Sequence, residues 1–154
     1  MTATLPVVPR LAVALLVAAL AACSSDESVE NAEVGECIES LSDASGDISE
    51  LPETSCTEEH EGEIFFLVEH EGDDDDFPGD SALQAEAAEQ CEGEEFEDFV
   101  GVPYDDTSIV VGYITPSSQS WGDGDRETIC ILGVPGETVD ESLEGRGEEF
   151  PLGG

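Results

Sequence analysis

Four of the five cysteines fall at positions 37, 56, 91 and 130, and in an exported chain an even set of this kind reads as two disulfides. Three connectivities are open to Cys37, Cys56, Cys91 and Cys130. Periodicity narrows them. Leu83, Ala87 and Cys91 recur every four residues and form one apolar stripe of a helix. Cys130 sits within a strand-like run, with Thr128 and Leu132 on its own face. If that face meets the helix, Cys91 pairs with Cys130, which leaves Cys37 for Cys56. Closing loops of about 20 and 40 residues contributes roughly 3–4 kcal/mol each in the chain-entropy account.

Export itself is written at the N-terminus. Arg10 is followed by an apolar run, Leu11 to Leu20, too short to span a bilayer and of the right length for a signal-peptide core. Leu20-Ala21-Ala22-Cys23 then resembles a bacterial lipobox, in which Cys23 is lipidated and becomes the new N-terminus. Two acyl chains of a diacylglyceryl group would hold the protein stably on a bilayer, where a single chain would not. The expected organisation is a signal peptide over 1–22, an acidic tether over 23–33, a domain over 34–133 and a C-terminal tail over 134–154. The expected location is the outer face of the cytoplasmic membrane.

Charge excludes other classes. The chain has 3 Lys+Arg against 39 Asp+Glu, for a formal net charge of −36, and contains no lysine. Nucleic acid is therefore not an expected partner, because phosphate binding needs clustered cations. Self-repulsion of this size favours solubility over stability and is relieved by salt, since the Debye length falls from about 10 Å at 0.1 M to about 3 Å at 1 M. The enrichment in acids fits a saline setting as well as it fits an acidic surface at ordinary salt.

Three segments read as strands: Glu63 to His70, with five consecutive apolar residues flanked by charge, Ser108 to Thr115, and Glu127 to Leu132. Between the first two lies the main helix, with Asp80 or Ser81 as its expected cap. Gly93 is expected to break or bend it before Phe96, Phe99 and Val100 resume the stripe. The sum is an α+β fold, a small, mainly antiparallel sheet with one main helix and two disulfides. One helix covers one face. Either the segment around Ile38, Leu41, Ile48 and Leu51 covers the other, which is the expectation, or a partner does.

Candidate chemistry is thin. Gly79-Asp80-Ser81-Ala82-Leu83 resembles the nucleophile block of GDSL-type esterases, but the histidine base of that family lies far downstream. Here both histidines, His60 and His70, lie upstream. A zinc reading of Cys56-Thr57-Glu58-Glu59-His60 lacks CxxC spacing and requires reduced thiols. Asp73 to Asp76 reads as a solvated loop without the ligand spacing of an EF-hand. No catalytic residue, metal or cofactor is expected. Trp121-Gly122-Asp123-Gly124-Asp125-Arg126 has two readings. One is a turn with a packed Trp and an Arg–carboxylate clamp; the other is a recognition surface of His60, Trp121, Asp125 and Arg126, with Trp121 and Arg126 as exposed anchors.

These residues also stand in a familiar order. Gly35-Glu36-Cys37, Cys56-x-x-x-His60 with Glu63, Phe77-Pro78-Gly79 and Cys91 come first. Phe96, Phe99, Gly101, Tyr113-x-x-Pro116, Trp121-x-x-Gly124-Asp125-Arg126 and Cys130 follow. Over about residues 34–133 the chain resembles the septum-formation domain of actinobacterial lipoproteins and membrane proteins. Thr138 to Arg146 is loosely similar to the stretch that often follows, while Glu59 stands where the family usually has proline. The resemblance implies a non-enzymatic envelope domain acting in cell division through protein or wall contacts, with envelope or division proteins as partners. The alternative is an extracytoplasmic module that binds or senses a small ligand or cation.

Overall fold

The computed structural model describes residues 32–41 and 51–152. The signal peptide, Cys23, most of the tether and Ile48 lie outside the described residues. The expected α+β class is what the structure shows. A single antiparallel sheet runs in the order β2-β1-β3-β5-β4. The strands are β1 (Cys37–Ile38), β2 (Glu53–Thr54), β3 (Gly62–Glu69), β4 (Val110–Ile114) and β5 (Glu127–Gly133). The helices are α1 (Asp80–Cys91), α2 (Glu94–Val100) and α3 (Ser118–Gly122).

The unbroken apolar run of β3 finds its explanation in a bulge. Register against β5 shifts between Ile64 and Phe66. The extra residue lets two consecutive side chains serve one face: Phe65 and Phe66 both belong to the helix-side core, while Ile64 and Leu67 belong to the opposite one. On the helix side, Phe65, Val68, Cys130 and Leu132 meet Ala87, Cys91, Phe96 and Val100. On the other, Ile64, Ile129 and Ile131 meet Ala32, Ile38 and Leu51, with Leu41 packed alongside. The N-terminal segment thus covers the second face, the first of the two alternatives. Ala32 is only 7% exposed, so the domain already includes the end of the expected tether.

Both disulfides pair as expected, Cys37 with Cys56 and Cys91 with Cys130. The α1 stripe Leu83, Ala87 and Cys91 is buried. Gly93 separates α1 from α2, and Gly101, at φ 90°, ends α2 in the left-handed conformation that glycine enters without steric cost.

Four expectations are corrected. First, neither Asp80 nor Ser81 caps α1. The N-cap is Gly79, whose carbonyl accepts from the Ala82 and Leu83 amides with no side-chain cap. Second, the segment that carries Trp121 is not turn alone. It contains α3, started by a reciprocal capping box between Ser117 and Ser120. Third, residues 134–152 are not a tail, because Val134 and Leu143 are buried in the helix-side core and Val139 and Phe150 pack against it. Fourth, Glu63, read only as a charge beside the apolar run of β3, is 2% exposed.

Candidate functional site

Two constellations stand out, one at each end of the sheet's central hydrogen-bonded pair, β3 and β5. The first is built on α3 and the turn after it. The α3 capping box fixes the helix start, and the indole of Trp121 turns inward to zero exposure. Its Nε1–H donates to the Asp73 carbonyl at 2.9 Å, and Phe77 meets the ring edge-on at 5.9 Å between centroids. The ring also seats on Gly72, where a Cβ would fall 2.7 Å from Trp121 Cζ2. Arg126 lies over the indole, its guanidinium carbon 3.9 Å from the ring centroid. It donates to the carbonyls of Trp121 and Asp125 at 2.7 Å each, to Gly72 O at 3.3 Å, and to Asp74 Oδ1 at 2.6 Å.

This is the clamp reading of the motif. Trp121 is not an exposed anchor, and Arg126 is spent on four acceptors and a ring. Asp125 is half-buried, and its Oδ1 accepts from the Glu127 amide at 3.1 Å. What the clamp exposes is the loop Asp73 to Asp76, every residue of which faces solvent. A single cation set among so many carboxylates fastens the loop to the sheet while leaving most of its charge outward. The repulsion is felt by Glu127, whose carboxyl is held above the usual range by partial burial first, then by Asp125 and Glu69.

The second constellation lies around the start of β3. His60 has zero exposure, and its backbone forms a two-way bridge with Val139. Its Nδ1 lies 2.8 Å from the Glu58 carbonyl. A carbonyl only accepts, so Nδ1 carries a proton, and in the neutral tautomer the lone pair is then at Nε2. Among the described residues, Nε2 is the buried side-chain polar atom with no hydrogen-bond partner. Nearby, Glu63 accepts from Ser142 Oγ at 2.7 Å and from the Leu143 amide at 2.6 Å. His60, Glu63 and Cys37 each place one donor atom within 4.8 Å of the others.

The four residues expected to share a recognition surface are thus divided. Trp121, Asp125 and Arg126 are joined in the clamp; His60 belongs to the other cluster. Glu63 and Asp74 were not among the expected site residues, although Glu63 stands in the pattern with Cys56 and His60 and Asp74 in the acidic run 73–76. His70, the other histidine, is buried with Nδ1 3.0 Å from Glu86 Oε2 and Nε2 2.7 Å from Thr128 Oγ1. Ser81 is exposed at the start of α1. An open groove of about 410 Å³ between Leu41, Glu61, Val110 and residues 133–138 contains none of the expected site residues.

The family model described as "Septum formation" matches residues 34–148. No curated protein and no solved structure matches the chain. The match spans most of the sequence and runs past the expected boundary at 133, in keeping with the burial of Leu143. The chain belongs to the septum-formation family.

Proposed function

We propose, from that membership, that the protein is a lipid-anchored, extracytoplasmic, non-enzymatic envelope domain that acts in septum formation through contacts with division proteins or the cell wall. The observation that carries the reading is the family match over residues 34–148, which takes in both disulfides and both buried constellations. The lipobox at Leu20-Ala21-Ala22-Cys23 supports the anchor, and two disulfides suit an oxidising compartment. Supporting the contact role, the clamp presents the acidic loop 73–76 in a fixed pose rather than enclosing a reaction centre.

The test is to image the full chain with a C-terminal tag in dividing host cells, beside Cys23→Ser. Septal enrichment that is lost with the anchor supports the reading. An even peripheral signal overturns the septal role, and a Cys23→Ser chain that still partitions into detergent overturns the lipid anchor.

A further inference from the structure

We propose that Cys37, Cys56, His60 and Glu63 form a Zn²⁺ site when the Cys37–Cys56 disulfide is reduced. The disulfide and the metal centre are then alternative states of one locus. The argument starts from the orphaned nitrogen. A buried polar atom without a partner is costly, and native interiors rarely leave one. His60 Nε2 is such an atom, on a side chain with zero exposure. It shares its surroundings with the Glu63 carboxylate and Cys37 Sγ, all within 4.8 Å of one another. Once Cys37 is a free thiolate, a metal ion is the partner that this trio of donors would accept together.

The supporting contacts are those of a ligand set. Metal-bound histidines characteristically donate their other ring N–H to a carbonyl or carboxylate, which fixes the tautomer. Here Nδ1 does so to Glu58 O. Metal-bound carboxylates are likewise oriented by hydrogen bonds, and Glu63 accepts from Ser142 Oγ and the Leu143 amide. Those two bonds leave lone pairs free on the carboxylate oxygens. Cys56 supplies the fourth donor, since its sulfur is bonded to that of Cys37 in the oxidised chain. Two sulfurs, one imidazole and one carboxylate make a tetrahedral set suited to Zn²⁺. Bond lengths of about 2.0–2.3 Å place tetrahedral donors roughly 3.5 Å apart. The present spacing, at most 4.8 Å, therefore closes by no more than about an ångström, a movement that release of Cys37 from its bridge permits.

The step balances. A trialkylphosphine breaks the S–S bond and becomes the phosphine oxide with the oxygen of one water, whose two protons go to the two sulfurs as thiols. Zn²⁺ then displaces both protons and forms two Zn–S bonds. Cys56 is half-buried in an exposed loop, whereas Cys91 and Cys130 have zero exposure, so mild reduction reaches the first bridge before the second.

Co²⁺ added to the full chain in high NaCl, which screens the surface carboxylates, is the direct probe. After mild phosphine treatment, alkylation mapping should find thiols at Cys37 and Cys56 alone. The treated chain should take one Co²⁺ with thiolate-to-metal charge-transfer absorption, and Zn²⁺ should abolish the band by displacement. The oxidised chain should show no band. Glu63→Gln and His60→Ala should each weaken Co²⁺ binding at least tenfold. Should His60→Ala fail to fold, Glu63→Gln decides, because its amide can keep both contacts if the Ser142 hydroxyl turns from donor to acceptor. A reduced chain with both thiols free and no charge-transfer band, or a band of equal strength in the folded variants, overturns the proposal.

Discussion

Trp121 is the residue on which the acidic loop depends, so its replacement should separate packing from hydrogen bonding. Truncation to alanine removes a ring of zero exposure from contact with Gly72, Phe77 and Arg126. Large-to-small substitution of a buried Trp costs about 3–5 kcal/mol. Phenylalanine keeps a ring against Phe77 and beneath the guanidinium, and loses the Nε1–H donated to Asp73 O. Because Asp73 is exposed, water replaces that donor, and the expected cost is about 1–2 kcal/mol including the smaller ring. The assay is urea unfolding at fixed ionic strength. Guanidinium chloride would screen the net charge of −36 while it denatures. Far-UV circular dichroism must report it, since Trp121 is the only tryptophan. An unchanged m value is expected for both variants. The reasoning is refuted if Trp121→Ala costs less than about 1 kcal/mol, or if the two variants cost the same.

Three further outcomes are expected. Glu127 has a folded-state carboxyl raised above its unfolded value, so its ionised form works against folding. Glu127→Gln should therefore raise Tm at neutral pH, on the order of 1–2 °C for a group only partly buried. The gain should vanish as pH falls through the raised value into the ordinary carboxylate range; a difference independent of pH would refute this cause. Replacing Cys91 and Cys130 together by alanine opens a loop of 39 residues and should cost about 4 kcal/mol in urea, against about 3 kcal/mol for the 19-residue Cys37–Cys56 loop. Ending the chain after Gly133 strips Glu63 of the Ser142 and Leu143 donors and uncovers the helix-side core. Cooperative unfolding should then be lost, and a truncated chain that melts in one sharp transition would restore the boundary at 133.

What the sequence disclosed and what it withheld divide along a physical line. Features set by local period were legible: the Leu83–Ala87–Cys91 stripe, the opposite faces of β5, and the disulfide pairing that follows once the two meet. The breaks at Gly93 and Gly101 were legible too, because glycine acts on its own backbone. Strands β1 and β2 span two residues each, too few for alternation to register. The five-residue α3 is likewise below the reach of periodicity, although its Ser117–Ser120 box is visible once sought. The site residues were the hardest. Glu63 is buried because donors 79 and 80 positions away reach it, and nothing in EIFFLV announces them. Trp121 and His60 stood out by residue type, yet type alone does not say whether a side chain faces in or out.

The bond from Glu63 to the Leu143 amide also has a consequence in time. Translation places β3 outside the ribosome long before its carboxylate has any donor, since the strand that flanks it, β5, and the segment that neutralises it are both made late. Pairings this distant along the chain carry a loop-closure cost before they return any stabilisation. The centre of the sheet and the neutralisation of the buried Glu63 carboxylate are therefore completed only after β5 and the Ser142–Leu143 segment have been made.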